Sequence, residues 1–75
     1  MEPIAEVLVL LKRQAELQGG MHQAGGLRVT EEREIYQLRE RLQRYPQAVS
    51  AILQAARNMN RPVETLEPQD VQRLV

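Results

Sequence analysis

The sequence contains no cysteine, no phenylalanine and no tryptophan, and each absence excludes a class of structure. Without cysteine there can be no disulfide framework, no thiolate nucleophile and no cysteine-ligated metal site. A small chain without such cross-links fits a reducing cytoplasm. Because two tyrosines are the only aromatic residues, the core must be built from aliphatic side chains and methionine. We therefore expect an aliphatic core and a cytoplasmic location.

Long hydrophobic runs are missing as well. No apolar stretch approaches the roughly 20 residues that a helix needs to cross a bilayer. The first apolar run is accompanied by Glu2 and Glu6, where a signal peptide would carry basic residues. We expect neither secretion nor membrane attachment. With 75 residues, the chain has room for one domain, residues 1–75, with a modest core.

A net charge of either sign is also absent, although the charges are unevenly placed. Ten basic and ten acidic residues balance, with −2 over residues 1–32, +4 over residues 33–61 and −2 over residues 62–75. This is far from the strongly basic balance of most nucleic-acid-binding modules. An uneven distribution of this kind can steer association with a partner.

The apolar residues that are present recur with helical spacing, and the alternation of a strand is nowhere sustained. A first helix is predicted at about 3–18, with Pro3 in its first turn and Gly19 at its end. All four glycines fall in a Gly-rich linker, residues 19–28. We favour a flexible connection there over a loop that needs positive φ at several positions.

Two further principal helices and a short one are predicted after this linker. The second spans about 31–45, with Thr30 as its N-cap. The third spans about 46–59 and starts at Pro46, the alternative being that Pro46 kinks one long helix. A short helix at about 68–75 ends the pattern, after a link that Val63 and Leu66 anchor. The prediction is an all-α fold, a small helical bundle of three principal helices and a short C-terminal helix.

The first helix carries five consecutive aliphatic residues, Val7 to Leu11, which predicts two apolar faces. A helix that is apolar most of the way round is enclosed by neighbours, and a short chain offers few. We therefore expect Val9, Leu10 and Leu17 to form an association surface through which the chain makes a homodimer. The competing interpretation is that the short C-terminal helix covers this face within one chain.

Residues that could carry catalysis or bind a metal are sparse. His22 is the only histidine, and it lies in the Gly-rich linker with no cysteine or carboxylate close by, whereas a zinc site needs three or four ligands. Glu31, Glu32 and Glu34 lie where a helix begins, and their attraction to the helix dipole explains them without catalysis. We predict no catalytic, metal or cofactor site, and no enzyme activity.

An arginine-rich surface on the second and third helices is the other candidate site. Arginine forks can bind a protein partner or phosphates. The predicted function is a non-catalytic protein–protein interaction module, an adaptor, small regulatory protein or accessory subunit, that binds another copy and another protein. The alternative is a small DNA- or RNA-binding regulator, which we rank lower. The arginines concerned are Arg33, Arg41, Arg44, Arg57 and Arg61.

Overall fold

A computed structural model describes residues 2–20 and 29–72, and within these residues the chain is all α, as predicted. Residues 21–28, with His22, and residues 73–75, the end of the predicted last helix, lie outside the described part. Four α-helices and a short 3₁₀ turn follow one another, with no strand among the described residues. They are α1 (Ile4–Gly20), α2 (Val29–Leu42), α3 (Pro46–Met59), the 3₁₀ turn Val63–Thr65 and α4 (Pro68–Gln72).

Helix α1 is the central element, because it packs against α2, α3, the 3₁₀ turn and α4. Val7 and Leu8 are almost wholly buried, and Leu11 and Leu17 nearly so. These side chains occupy a continuous arc of about half the helix circumference at 100° per residue. The two apolar faces predicted for this helix are therefore one broad face. The helix continues through Gly19, where it was predicted to end. A side chain at this position would meet no neighbouring atoms.

Helix α2 lies against α1 through a narrow stripe of Ile35, Leu38 and Leu42. It begins two residues before the predicted start, so Thr30 lies inside the helix and is not its N-cap. It ends at Leu42, earlier than predicted, because the N–H groups of Arg44 and Tyr45 turn to the carbonyls of Arg41 and Leu42. The chain thus reverses in a tight turn before the next helix.

Helix α3 begins at Pro46, so Pro46 separates two helices and does not kink one. Proline suits a first helical position because its missing N–H would have no partner within the helix. At the other end Asn60 takes the left-handed conformation, with φ 53°. The N–H of Asn60 donates to the carbonyl of Arg57, and that of Arg61 to the carbonyl of Ala56. This pair of bonds is a Schellman ending.

The C-terminal segment folds back over α1 and α3. Leu66 and Val71 are almost fully buried there, while Val63 is partly buried. The backbone N–H of Glu67 donates to Oδ2 of Asp70 at 2.8 Å, and the N–H of Asp70 donates to the carbonyl of Glu67 at 2.9 Å. This reciprocal pair starts α4.

The buried side chains of the described residues form two clusters of unequal size. The larger joins the first half of α1 to α3, α4 and the end of α2, through Val7, Leu8, Leu11, Leu42, Ala48, Ile52, Ala55, Leu66 and Val71. The smaller joins the second half of α1 to α2 through Leu17, Ile35 and Leu38. The Cα radius of gyration is 12.9 Å, against about 11 Å for a chain of this size. The molecule is elongated and thin.

Candidate functional site

The apolar face of α3 is wider than the surface that covers it. Ala48, Ile52 and Ala55 are buried against α1 and the C-terminal segment. The stripe continues round the helix to Val49, which is half-buried, and to Leu53, which is 45% exposed. The uncovered edge of α3 therefore faces outward beside the end of α2.

This uncovered edge forms one wall of a groove of about 700 Å³, here called the α2–α3 groove. The last turn of α2 forms the other wall, and the turn that joins the two helices closes one end. Both helices pack on α1, which contributes Gln14 to the groove. Its lining residues are Gln14, Arg39, Leu42, Gln43, Pro46, Val49, Ser50, Leu53, Gln54, Arg57 and Asn58.

The groove is basic as well as apolar. Arg39 lies on the α2 wall and Arg57 on the α3 wall, and no carboxylate lines the groove. Both arginines are exposed. Within residues 2–20 and 29–72, neither forms an ion pair, since Arg13 is the basic residue in both salt bridges found there. The groove thus presents one positive charge on each wall beside its aliphatic side chains.

An ion pair between α1 and α2 helps to hold one wall in place. Arg13 Nε donates to Glu34 Oε2 at 2.7 Å and Nη2 donates to Oε1 at 3.2 Å, a two-pronged geometry. The hydrogen bond from Arg13, reinforced by its charge, lowers the pKa of Glu34 and raises the pKa of Arg13. Glu16 accepts a further bond from the same guanidinium at 3.2 Å. Because both partners are exposed, solvent and salt weaken this pair.

A carboxylate from the start of the chain helps to hold the other wall. Glu2 Oε1 accepts a hydrogen bond from the backbone N–H of Ala48 at 2.8 Å. Tyr45, the residue before α3, makes no side-chain cap. Glu2 therefore performs from a distance the capping role that a neighbouring Ser or Asp usually has.

The predicted association surface of Val9, Leu10 and Leu17 does not exist as one exposed face. Val9 is 65% exposed, but Leu17 is only 5% exposed and packs with Ile35 and Leu38. Leu10 is partly buried between the two clusters. The prediction was wrong for Leu17 because α2 covers it within the same chain. For the competing interpretation, cover by the short last helix, Val71 packs in the larger cluster, against which Leu10 is partly buried, while residues 73–75 lie outside the described part.

The five arginines predicted to form a second site are all exposed, and those that line a concavity are divided between two. Arg57 lies in the α2–α3 groove. Arg41 and Arg44 line a smaller concavity of about 320 Å³, which they share with Glu6. Arg61 donates to the backbone carbonyl of Thr65 at 3.0 Å. Arg33 lies near the start of α2 and lines neither concavity.

The remaining sequence expectations concern metals and membranes. Among the residues that the structure describes, no three His, Cys, Asp or Glu side chains are grouped so that they could hold a metal ion. Within the same residues, none of the helices combines the length and the apolar character that a bilayer crossing requires.

Sequence reasoning missed the α2–α3 groove. Val49 and Leu53 belong to the apolar side of the third helix, and helical spacing alone does not show which part of that side is covered. The available signal was the width of that side: the alanines already fill the contact with α1, which leaves the edge of the stripe without a neighbour. Arg39 carried no signal, because its position on the groove wall depends on where α2 ends.

Comparisons with protein-family models, with curated proteins and with solved structures give no match.

Proposed function

We propose that this chain is a non-catalytic protein-interaction module that binds a segment of another protein in the α2–α3 groove. The observation that carries the proposal is the apolar edge of α3, where Leu53 is 45% exposed beside Val49 and Leu42. Covering Leu53 would stabilise a complex by about 1 kcal/mol from this side chain alone. A module of this kind acts as an adaptor, a small regulator or an accessory subunit, and we place it in the cytoplasm.

The chemistry of the groove supports recognition. Its walls offer aliphatic carbon, amide groups, one hydroxyl and two guanidinium groups. An apolar floor with a few polar and charged groups at its edges is the usual anatomy of a binding surface. Self-association through the first helix is not part of the proposal, because Leu17 is buried within the chain.

Affinity capture with matched variants tests the proposal. The wild type, Leu53→Asp and Val9→Asp are immobilised, and captured proteins are quantified, purified and rebound one at a time. Both variants introduce a carboxylate at an exposed aliphatic position, but only Leu53 lies in the groove. We expect a purified partner to rebind the wild type and Val9→Asp and to lose at least about tenfold in affinity for Leu53→Asp. Equal rebinding to all three forms would contradict the proposal.

The nucleic-acid alternative predicts a different result. A DNA- or RNA-binding regulator would bind labelled duplex or single strands more tightly than about 1 µM at physiological salt, since non-specific binding is weaker than that. Binding would weaken when Arg41 and Arg44 are changed to alanine, and Leu53→Asp would have a smaller effect. We expect no such binding, because the arginines lie in separate places on the surface.

A further inference from the structure

We infer that the occupant of the α2–α3 groove is an acidic amphipathic helix of another protein, about three turns long. The inference rests on the proposed function and names the ligand of the same site. Two features of the groove lead to it: its length along α3, and the sign of the charge on its walls.

The length of the groove sets the length of the ligand. The lining residues on α3 run from Pro46 to Asn58, which is about 18 Å at 1.5 Å per residue. The large aliphatic side chains that line the groove are Val49 and Leu53 on α3 and Leu42 on α2. A helix that lies in such a groove places apolar side chains at i, i+3 or i+4, and i+7. About 12 residues are enough to cover it.

The charge of the groove sets the polarity of the ligand. Arg39 and Arg57 lie on opposite walls, so a helix on the floor would pass between them. Acidic side chains that flank the apolar anchors would face one guanidinium on each side, and basic side chains there would be repelled. Specificity therefore comes from the rejection of basic helices as well as from the attraction of acidic ones.

A second concavity on the same molecule has the opposite character. It lies where the start of α1 meets α3 and α4 and has a volume of about 790 Å³. Among the described residues, its lining includes Glu2 and Glu6 and no basic side chain. An acidic ligand is disfavoured there. An acidic helix should therefore bind the α2–α3 groove in preference to this concavity, and the amide signals of Ala5 and Ala51 here provide an internal control.

The chain itself does not present the required ligand within its described residues. A helix that fills a groove three turns long needs three apolar anchor side chains. Within the described residues, no outer helix face carries three exposed large apolar side chains. Val29 and Tyr36 share the outer face of α2, while Val9 is alone on that of α1. This favours a segment of another protein over a second copy of the chain.

A display library tests the inference without knowledge of the natural partner. The library consists of 14-residue helices with fixed leucine anchors at i, i+4 and i+7 and randomised flanking positions. It is selected in parallel against the wild type, Leu53→Asp, the control Val9→Asp, and the double variant Arg39→Glu, Arg57→Glu. Circular dichroism of each form checks that the helices are retained.

The expected result is a set of helices that bind the wild type and Val9→Asp, lose binding to Leu53→Asp, and carry Asp or Glu at the flanking positions. The double variant should enrich Lys or Arg instead, with a change of at least about tenfold in the preference between matched acidic and basic peptides. Addition of the best acidic peptide should shift the amide signals of Val49 and Leu53 and leave those of Ala5 and Ala51 unchanged.

The outcomes separate the inference from the function on which it rests. Groove-dependent binders without an acidic preference would overturn the inference and leave the interaction module standing. If no binder depends on Leu53, both fall. A wild type that light scattering shows to be a dimer, and that Leu53→Asp converts to a monomer, would assign the groove to a second copy and overturn the inference. Signal shifts in the groove upon addition of an oligonucleotide, with none from acidic peptides, would overturn it as well.

Discussion

At the scale of single residues, two carboxylates accept hydrogen bonds from distant parts of the chain that their positions in the sequence do not predict. Glu2 accepts a hydrogen bond from the backbone of Ala48, and Glu34 accepts two from Arg13. Each joins α1, or the residues just before it, to a different neighbouring helix. Both contacts depend on the tertiary fold, since the partners lie 46 and 21 positions apart in the chain.

We predict that Glu2→Ala lowers the free energy of unfolding by about 1 kcal/mol, the usual cost of a lost helix cap. The partly buried N–H of Ala48 would lose its partner at the positive end of α3. Urea denaturation measures the change. Glu6→Ala is the matched control, because Glu6 is an exposed carboxylate in the same part of the chain, and a change within about 0.5 kcal/mol is expected there. Equal losses in the two variants would show that Glu2 is not a cap.

We predict that Glu34 makes stability depend on pH. Arg13 holds the pKa of Glu34 below its ordinary value of 4.5. The folded chain therefore gains stability from this group above that pH and loses it as the pH falls through the lowered folded-state pKa. The urea midpoint of the wild type should exceed that of Glu34→Gln at about pH 6, and the two should converge as the pH falls below about 4.

Two controls accompany the pH experiment. Added salt should reduce the difference between wild type and Glu34→Gln, because the pair is exposed and is screened. Arg13→Gln removes the other partner of the pair, so the further change Glu34→Gln in that background should have little effect on the urea midpoint. A Glu34→Gln profile that runs parallel to that of the wild type would show that the ion pair does not stabilise the α1–α2 contact.

At the scale of helices, the sequence predicted which segments are helical better than it predicted which faces of those helices are buried. Helical spacing and Pro46 were sufficient to predict an all-α fold and a third helix that starts at residue 46. The ends of α2 were misplaced because Thr30 is a good cap in isolation, and because the turn after Leu42 depends on backbone hydrogen bonds that leave no pattern in the residues.

The cover of α1 and α3 was not predictable from either helix alone. Leu17 and Val9 were both predicted to belong to the association surface of the first helix, yet one is 5% and the other 65% exposed. Which of them is covered depends on the side from which α2 approaches. The groove escaped prediction for the same reason, since Leu53 is left open where α2 packs on α1 and not on α3.

We predict that Leu17→Ala lowers the free energy of unfolding by about 2 kcal/mol or more, the cost of a cavity between α1 and α2. Val9→Ala should change it by no more than about 0.5 kcal/mol, because Val9 is largely in water. Urea denaturation at several protein concentrations measures both variants. If Leu17 instead lay in an interface between copies, its effect would depend on concentration, and light scattering would show a loss of mass.

At the scale of the whole molecule, the two clusters divide the stability unequally. Among residues 2–20 and 29–72, nine buried residues join the first half of α1 to α3, α4 and the end of α2, and three join its second half to α2. Regions with fewer buried apolar contacts open at a lower free energy. The part of the molecule that holds Leu17, Ile35 and Leu38 should therefore be the first to open.

Native-state hydrogen exchange tests this division. We predict that the amide hydrogens of Ile35 and Leu38 exchange faster than those of Ile52 and Ala55, although all four lie within helices. Leu17→Ala should widen the difference, because it weakens the smaller cluster alone. Uniform protection across the four amides would mean that both clusters open together as one cooperative unit.

The order in which the core residues leave the ribosome has a consequence for synthesis. Val7, Leu8 and Leu11 are synthesised about 60 residues before Leu66 and Val71, which pack against them. At about 5–20 residues per second, the apolar face of the first helix is synthesised some 3–12 s before this last part of the core that buries it. During translation the nascent chain therefore exposes an incompletely buried apolar helix. The yield of the protein in a cell should depend on chaperones that bind such a helix while the remainder of the chain is synthesised.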